Sequence, residues 1–341
     1  MTDVDRGSPI RLFSTFPPST AVDPSSYLAT AVEMARWSEN AGCVGALVYT
    51  DNSLLDPWVV AQAVIADTDR IAPLVAVQPV YMHPYSVAKV VTSIARLHGR
   101  RVYLNMVAGG FVKDLLALGD DTEHDARYER LEEFTTIVLR LLSGDGPVTF
   151  SGRWYSVKNL RLGPELPDHL FPGVTVSGSS AAGMAAACRL GATAIQYPKP
   201  AGDYVGSHGM EAEDKGIRIG VIARADAGEA WRVARERFPG DRRGQIMHEI
   251  AMQTSDSVWH RQLSALGREA AAQHTPYWLH PFENYKTFCP YLVGTYEDVA
   301  AAIAEYLDLG FRTFIMDVPR EEEDFVHIGI VFDRAQELAP A

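Results

Sequence analysis

A run of hydrogen-bond donors at positions 123–128, with the sequence EHDARY, is the first candidate for chemistry in this chain. It contains an imidazole (His124), a guanidinium (Arg127) and a phenol (Tyr128), and each of these groups can donate to phosphate oxygens. Taken separately, His124 can be a capping or surface histidine, and Arg127 can pair with a neighbouring carboxylate. The apolar residues that follow at helical spacing predict that the run opens a long amphipathic helix.

A second candidate is the tripeptide Gly178-Ser179-Ser180, which follows a predicted strand and precedes a predicted helix. At such a junction, backbone N–H groups and the two hydroxyls can face a phosphate at the N-terminus of the helix. The alternative is an ordinary serine N-cap. The donors at positions 124–128 strengthen the phosphate interpretation, because both segments supply the same kind of group.

Asn105 is the third candidate, because it is the polar exception in an apolar strand predicted at residues 102–106. A buried amide must find a hydrogen-bond partner or destabilise the fold. That partner is either a neighbouring loop or the polar edge of a ligand ring. The small residues that follow, Ala108, Gly109 and Gly110, would let a ligand approach the backbone closely.

The elements that must position these residues alternate between strands and helices with short connections, which indicates an α/β protein with a parallel sheet. The eight predicted strands are 10–16, 44–49, 72–77, 102–106, 173–176, 192–197, 217–225 and 313–316. Eight strand–helix units predict a (β/α)8 TIM barrel. The alternative is an open doubly wound sheet, which is disfavoured because no Gly-x-Gly-x-x-Gly follows an early strand.

Two insertions are predicted in this barrel. Residues 148–162 alternate with a period of two around Ser151-Gly152, which predicts a hairpin before the fifth strand. Residues from about 226 to 290 are too many for a plain connection, and they form a long helical and aromatic insertion after the seventh strand. Its aromatic residues are interpreted either as a lid or as a satellite core or oligomer contact. We predict a single domain over residues 1–341.

The bulk composition limits the classes of partner. The chain has 31 basic and 43 acidic residues and a net charge of −12, which disfavours nucleic acid and anionic membranes as partners. Three widely spaced cysteines indicate a reducing compartment without a disulfide framework. The chain contains neither an apolar run of membrane-spanning length nor the apolar core of a signal peptide. We therefore predict a cytoplasmic protein. With no HExxH or CxxC motif, no metal is indicated.

In a barrel, the residues at the carboxyl ends of the strands line the mouth of the active site. The predicted mouth is rich in amides, hydroxyls and aromatic rings and consists of Thr50, Asp51, Asn52, Gln78, Tyr81, Asn105, Ser177, Ser179, Ser180, Tyr197, Arg224 and Asp317. For catalysis, Arg224 is predicted to steady an anionic group, and Tyr197 is predicted to act as a wall or a proton donor.

Several segments, among them NMVAGG (105–110), HDARYE (124–129), FSGRWYSV (150–157) and VSGSSAAG (176–183), resemble the flavin-dependent monooxygenases of the bacterial-luciferase-like family. The resemblance covers nearly the whole chain and is nearest to the alkanesulfonate monooxygenase branch. It implies a (β/α)8 barrel, a homodimer or homotetramer, and reduced FMN supplied by a separate NAD(P)H:flavin reductase. The cofactor contacts that it implies come from Thr50, Gln78, Asn105, His124, Tyr128, Gly178, Ser179 and Ser180.

The chain departs from the alkanesulfonate branch on the substrate side. That branch has a cysteine in the strand-two loop, a tryptophan after strand six, Arg-x-His on strand seven and a tyrosine after strand eight. At the corresponding positions this chain has Ser53-Leu54, Tyr197, Ile222-Ala223-Arg224 and, approximately, Val318. We therefore predict a small organic substrate other than an alkanesulfonate.

These observations predict a two-component, FMNH2-dependent monooxygenase that uses O2 through a C4a-(hydro)peroxyflavin. One alternative is a deazaflavin-dependent hydride-transfer oxidoreductase. The anionic tail of a deazaflavin favours a basic rim, which a net charge of −12 mildly disfavours. The other alternative is a non-catalytic flavin-binding member of the same family. Turnover with reduced flavin and oxygen would separate the enzyme from the binder.

Overall fold

A barrel of eight parallel strands forms the centre of the computed structural model, which describes residues 10–204, 214–254, 261–266 and 276–339. The described strands, eight of which form the barrel, are β1 (Arg11–Thr15), β2 (Gly45–Val48), β3 (Ala72–Val77), β4 (Tyr103–Val107), β5 (Val148–Ser151), β6 (Ser156–Leu160), β7 (Val174–Ser177), β8 (Thr193–Gln196), β9 (Lys215–Arg224), β10 (Tyr277–Trp278), β11 (Tyr291–Thr295) and β12 (Phe311–Met316). The barrel order is β1-β2-β3-β4-β7-β8-β9-β12. The barrel closes because Arg11 to Phe13 of β1 pair with Thr313 to Ile315 of β12. The predicted TIM barrel is confirmed, and the open-sheet alternative is wrong.

Helices surround the barrel. They are α1 (Tyr27–Asn40), α2 (Pro57–Ala66), α3 (Pro84–His98), α4 (Val112–Ala117), α5 (His124–Leu142), α6 (Ala181–Leu190), α7 (Ala227–Arg237), α8 (Arg242–Thr254), α9 (His280–Glu283), α10 (Tyr296–Asp308) and α11 (Glu323–Leu338). Residues 261–266 are also helical. No helix among the described residues is long and apolar enough to cross a membrane.

The interior of the barrel is filled by large apolar side chains. One side chain from each of five strands forms this plug, namely Phe13, Leu47, Leu74, Ile195 and Ile315, and all are at most 2% exposed. Outward-facing side chains of the strands pack instead against the helices, as expected for strands that are buried on both faces. The plug closes the barrel from within, so a ligand can enter only above it.

Helix α5 shows how the sequence forms and places one of these helices. Its apolar residues recur at helical spacing, and Leu131, Phe134, Ile137 and Val138 are completely buried. The predicted long amphipathic helix is therefore confirmed. Because the helix begins at His124, its polar first turn lies at one end of the buried stripe.

The predicted hairpin is confirmed as β5 and β6, which pair in antiparallel orientation. The turn between them is anchored on the Glu133 carboxylate of α5. This carboxylate accepts hydrogen bonds from the backbone N–H groups of Arg153, Trp154 and Tyr155 at 2.7, 2.8 and 3.0 Å. Gly152 is required there, because a Cβ atom at this position would lie 2.4 Å from the carboxyl carbon of Glu133.

The insertion after the seventh barrel strand is built differently from its prediction. β9 is ten residues long, and only its first half pairs with β8 and β12. Its second half, from Gly220 to Arg224, pairs with β11, and β11 in turn pairs with β10. The predicted helices are present as α7 and α8, whereas the strands β10 and β11 were not predicted. Residues 255–260 and 267–275 of the predicted insertion lie outside the described residues.

Candidate active site

A cavity enclosing about 1100 Å³, part of it open to solvent, lies at the carboxyl ends of the barrel strands. Leu47, Ile195 and Ile315 of the plug form part of its wall. All the residues predicted for catalysis or cofactor binding except Arg224 line this cavity: Thr50, Gln78, Asn105, His124, Tyr128, Gly178, Ser179, Ser180 and Tyr197. Asn52, Tyr81 and Asp317 of the predicted mouth do not line it. The structure therefore brings together side chains that are up to 147 positions apart, from Thr50 to Tyr197.

Two buried amides from neighbouring strands face this cavity. Asn105 of β4 is 4% exposed, and its Oδ1 accepts hydrogen bonds from the hydroxyls of Thr175 and Ser177, both at 2.8 Å. These two hydrogen bonds orient the amide and use its oxygen atom. The NH2 group of Asn105 has no protein partner among the described residues. Gln78, directly after β3, is 9% exposed, and its side-chain amide has no described protein partner either. Buried amides normally form hydrogen bonds, so both indicate a polar ligand.

The phenol of Tyr128 packs closely against the start of α6. A Cβ atom on Gly178 would lie 2.2 Å from the Tyr128 hydroxyl, and one on Gly183 would lie 3.1 Å from the same atom. Only glycine at position 178 allows this contact. The Ser180 side chain accepts a hydrogen bond from the backbone N–H of Gly183 at 3.1 Å, which makes it the N-cap of α6. Both interpretations of the serines, cap and anion site, are therefore compatible with the geometry.

The first turn of α5 adds an imidazole to this end of the cavity. His124 Nδ1 lies 2.7 Å from a carboxylate oxygen of Asp125, which leaves Nε2 as the ring nitrogen without a described partner. The ring centres of His124 and Tyr128 are 5.3 Å apart. Arg127 does not line the cavity, since it is 3% exposed and its Nη1 donates to the backbone oxygen of Thr122.

Arg224, which was predicted to steady an anionic group, does not line the cavity. It lies at the end of β9, where its Nη1 donates to the backbone oxygen of Ala223 at 2.8 Å. Its positive charge acts on His327 of α11 instead. Burial is the main cause that lowers the pKa of His327, and the charge of Arg224 is the second cause. The physical reason is the length of β9, whose last five residues pair with β11 outside the barrel.

Arg218 takes the place that was predicted for Arg224. It lies on the same strand, six residues earlier and about 20 Å away along β9. Its side chain lines the cavity and is 6% exposed. Sequence reasoning missed it, although a lone cation within the apolar run Gly216 to Ala223 was the available signal.

The guanidinium of Arg218 is only partly neutralised by protein groups. Its Nη2 lies 3.6 Å from Asp317 Oδ1, which is longer than a hydrogen bond. The other carboxylate oxygen of Asp317 accepts hydrogen bonds from Thr287 and Tyr291, each at 2.7 Å. Arg218 Nε is buried without a partner among the described residues. The cavity wall therefore contains a buried cation that can still bind an anion or a carbonyl oxygen.

Two tyrosines accompany this cation. Burial raises the pKa of Tyr197. Arg218 offsets part of this increase through its charge and through a side-chain hydrogen bond with Tyr197. Burial likewise raises the pKa of Tyr49, whose ring centre lies 5.4 Å from the Arg218 guanidinium carbon. Both phenols therefore keep their protons at neutral pH and can act as hydrogen-bond donors.

A second cavity adjoins the first and encloses about 1680 Å³, including open solvent. Four residues line both cavities, namely Tyr49, Asp51, Arg218 and Phe288. The insertion supplies much of the second cavity, including Arg237 and the segment 285–288. We call this space the second cavity.

The aromatic residues of the insertion serve two purposes. Tyr277 and Phe282 are buried in a hydrophobic core, which is the satellite-core alternative. Phe288 instead lines the main cavity, with its ring centre 6.1 Å from that of Phe111. Of the aromatic residues of the insertion that the structure describes, Phe288 therefore lines the main cavity, as the predicted lid requires, whereas Tyr277 and Phe282 form core.

The residues of the main cavity fit a flavin mononucleotide in kind. The amides of Gln78 and Asn105, whose NH2 groups have no described protein partner, suit the polar edge of a flavin ring, and the apolar plug residues suit its hydrocarbon edge. Tyr128, His124 and the hydroxyls beside α6 are donors that suit a phosphate. Among the described residues no group of three His, Cys, Asp or Glu side chains converges as a metal site would require.

Comparison with known proteins identifies the class. A family model described as luciferase-like monooxygenase matches residues 9–313. The chain is 36% identical, over 312 residues, to 4-(gamma-L-glutamylamino)butanoyl-[BtrI acyl-carrier protein] monooxygenase BtrO of Niallia circulans; the match covers 89% of this chain and 91% of that protein. The chain belongs to the luciferase-like monooxygenase family. It is a flavin-dependent monooxygenase.

Solved structures share the fold at low sequence identity. EDTA monooxygenase (EmoA) from Chelativorans sp. BNC1 matches with a TM-score of 0.73 and 18% identity, covering 97% of this chain and 93% of that one. An F420-dependent secondary alcohol dehydrogenase matches with a TM-score of 0.63 and 15% identity, covering 96% of this chain and 99% of that one. The family model and the BtrO relative confirm the predicted family. The BtrO relative is not named as an alkanesulfonate monooxygenase, so the predicted branch stays a prediction.

Proposed function

We propose that this enzyme is a two-component monooxygenase that binds FMNH2, supplied by a separate NAD(P)H:flavin reductase, and oxidises an acyl group attached to a carrier protein. The observation that carries the proposal is a pair of buried side-chain amides, Gln78 and Asn105, whose NH2 groups have no described protein partner, beside a cluster of phosphate donors. Bound reduced flavin supplies the chemistry: one oxygen atom of O2 goes to the substrate, the other leaves as water, and FMNH2 becomes FMN.

The cofactor contacts would come from two groups of side chains in the main cavity. His124, Tyr128, Ser179 and Ser180 would hold the phosphate, and Gly178 makes room for the Tyr128 hydroxyl. The NH2 groups of Gln78 and Asn105, with the hydroxyl of Thr50, would donate to the oxygen and nitrogen atoms of the flavin ring.

The catalytic contacts come from Arg218 and Tyr197. Arg218 is positioned to stabilise negative charge that develops during oxygen transfer, because its cation is buried and only partly neutralised. Tyr197 stays protonated through burial and donates a hydrogen bond or a proton at the same place. Arg224, which was predicted for this role, lies outside the cavity. Phe288 and Phe111 exclude water from the reacting atoms.

The substrate class rests on the BtrO relative, whose name describes an acyl group attached to an acyl-carrier protein. The second cavity suits an extended group of this kind, because it opens to solvent and meets the main cavity at Arg218 and Asp51. A cation and a carboxylate at one junction can orient a polar, amide-containing acyl chain. The missing cysteine and histidine of the sulfonate branch support a substrate other than an alkanesulfonate.

The remaining features of the proposal concern the whole protein. We propose one domain over residues 1–341, with the segment after β9 as an insertion, and a homodimer or homotetramer in the cytoplasm. The free cysteines Cys43, Cys188 and Cys289 are consistent with a reducing compartment. Light scattering of the purified protein would give the oligomeric state.

The test is an anaerobic titration with FMNH2 followed by rapid mixing with O2. A transient flavin absorbance band that outlives that of free reduced flavin, together with oxygen incorporation from ¹⁸O2 into a carrier-bound acyl group, would support the proposal. Tight FMNH2 binding without either signal would favour the non-catalytic flavin binder. Binding of a deazaflavin but not of FMNH2 would favour the hydride-transfer alternative. An F420-dependent dehydrogenase has the same fold.

A further inference from the structure

The outward side of α8 combines positive charge with exposed apolar side chains. Five residues at three- and four-residue spacing form this surface, which we call the α8 face: Arg242, Arg243, Ile246, Met247 and Ile250. Ile246, Met247 and Ile250 are 42%, 46% and 43% exposed. Grouped exposure of large apolar side chains on one helix marks an interaction surface more often than scattered single residues do.

The start of α8 packs on a segment that lines the second cavity. Just before α8 begins, the backbone N–H of Asp241 donates to Asn284 Oδ1 at 2.7 Å, and the Asp241 carboxylate binds the amine of Lys286. A Cβ atom on Gly244 would lie 2.0 Å from the Asn284 carbonyl oxygen, so the helix packs directly on this segment. Lys286 and its neighbours Tyr285, Thr287 and Phe288 line the second cavity. The start of α8 is therefore part of the surroundings of that opening.

The charge of this surface is opposite to that of the whole chain. The chain carries a net charge of −12, whereas α8 carries two arginines and a single acidic residue, Glu249. No described group pairs with the Arg243 side chain, and Arg242 reaches only Gln245 Oε1, at 3.4 Å. Exposed Arg320 lines the second cavity and has no described side-chain partner. A local basic surface on an acidic protein favours an acidic partner.

We propose that the α8 face is the docking surface for an acidic carrier protein, which passes its acyl arm into the second cavity. The inference rests on the proposed function, because only a carrier-bound substrate needs such a surface. The two arginines contact acidic side chains of the carrier, and the three apolar residues cover its apolar contacts. The acyl arm then passes Lys286 and reaches Arg218 and Phe288, which border both cavities.

A second copy of this chain is a less suitable occupant of the α8 face. In a two-fold symmetric contact the same surface patch lies on both sides of the interface. Arg242 and Arg243 of one copy would then approach the same residues of the other, and like charges across an interface are repulsive. An acidic partner avoids this repulsion, which is why the carrier protein is the proposed occupant.

The test measures binding of a carrier protein by fluorescence anisotropy. The probe is the BtrI acyl-carrier protein loaded with the 4-(gamma-L-glutamylamino)butanoyl group, the carrier and acyl group that the name of the BtrO relative specifies. The variant is Arg242→Glu with Arg243→Glu. We expect its dissociation constant to be raised about tenfold or more, because two attractive contacts become repulsive. Raising the salt concentration should weaken binding by the unchanged protein and have less effect on the variant.

The matched control is Lys158→Glu with Arg161→Glu, which makes the same change in charge on the exposed hairpin strand β6 and the residue after it. Its dissociation constant should stay within about twofold of the unchanged protein, since long-range charge alone is screened. Equal weakening in both variants, or no weakening in either, would overturn the docking proposal. So would an unchanged dissociation constant accompanied by a loss of self-association, which would assign the face to a second copy.

A turnover measurement separates this proposal from the proposed function. The same acyl group is offered on the carrier protein and on free pantetheine, with FMNH2 and O2. The docking proposal expects the α8-face variant to lose kcat/KM only for the carrier-bound form. Equal losses for both forms would overturn it. If the unchanged protein binds the loaded carrier but oxidises neither form, the proposed function fails while the docking surface stands.

Discussion

At the scale of single residues, the site consists of buried polar groups whose protein partners are incomplete. Arg218 is 6% exposed, and its Nη2 lies 3.6 Å from a carboxylate oxygen of Asp317. Asn105 is 4% exposed and uses only its amide oxygen within the protein. Burying such groups unpaired costs free energy, so a ligand that pairs with them gains that free energy on binding.

We predict that Arg218→Met lowers kcat/KM for the monooxygenase reaction about 100-fold. A hydrogen bond to a charged group contributes about 1.5–3 kcal/mol, and 1.36 kcal/mol corresponds to a factor of ten in rate. The matched control is Arg224→Met, on the same strand but outside the cavity, which should change kcat/KM by less than about threefold. An equal loss in the two variants would contradict the assignment of Arg218. Thermal unfolding of both variants checks that the fold is intact.

We predict that Gly178→Ala weakens FMNH2 binding about tenfold. The new Cβ atom would lie 2.2 Å from the Tyr128 hydroxyl, so Tyr128 must move, and the hydrogen bond that it is proposed to donate to the phosphate would be lost. Anaerobic titration with quenching of flavin or protein fluorescence measures the affinity. Gly202→Ala is the control, because no atom lies within 4 Å of a Cβ atom at that position. Unchanged affinity in the Gly178 variant would argue against a phosphate contact from Tyr128.

At the scale of elements, β9 connects the barrel to the insertion. Its first half closes the barrel and carries Arg218, and its second half holds β11 in place. Tyr291 of β11 lies opposite Gly220 and donates to Asp317, the carboxylate nearest to Arg218. The insertion is therefore coupled to Arg218, the proposed catalytic arginine, through Tyr291 and Asp317.

We predict that Gly220→Ala destabilises the protein by about 1–3 kcal/mol, the usual cost of overfilling a packed core. A Cβ atom there would lie 2.3 Å from the Tyr291 ring, which is 1% exposed and has no space to retreat. The activity should fall as well, because Tyr291 helps to hold Asp317. Urea denaturation measures the free energy of unfolding.

The control for this substitution is Gly329→Ala, which places the same atom in open space inside helix α11. Since alanine favours a helix interior over glycine by about 0.5–1 kcal/mol, this variant should be slightly more stable than the unchanged protein. If Gly220→Ala proved as stable as Gly329→Ala, the close packing of β9 on β11 would be wrong.

At the scale of the whole molecule, the flavin should act as a structural ligand of the barrel. The main cavity is lined by residues from the eight barrel strands except β1, from α5, and from the loops after β2, β3, β4, β7 and β8. A ligand that contacts so many elements binds the folded state and has no equivalent site in the unfolded chain. Its binding free energy is therefore added to the free energy of unfolding.

We predict that FMNH2 at about 100 times its dissociation constant raises the melting temperature by about 4 °C, since ligand binding at that ratio adds about 2.7 kcal/mol. Reduced riboflavin at the same concentration should give a smaller increase, because it lacks the phosphate that His124, Tyr128 and the serines are proposed to hold. Anaerobic differential scanning fluorimetry measures both. Equal shifts for the two flavins would contradict the proposed phosphate contacts.

The sequence by itself determined the barrel and most of the residues that line its mouth. Strand and helix periods are local properties, and eight alternating units leave few ways to pack. Strand ends in a parallel barrel meet at one edge, so Gln78, Asn105, Ser179 and Tyr197 could be grouped before any contact was known. The close packing of Tyr128 on Gly178 could not be read from the chain, but both residues were in the predicted group.

Only the tertiary structure decided which arginine reaches the cavity. Arg218 and Arg224 lie on the same strand an even number of residues apart, so strand alternation places both on the same side. The choice depends on where β9 leaves the barrel, and that point is set by pairing with β11, about 70 residues later in the chain. Arg127 similarly lies in the predicted donor run and yet is turned away from the cavity, toward Thr122. Contacts between segments distant in sequence, which no local pattern encodes, decided both outcomes.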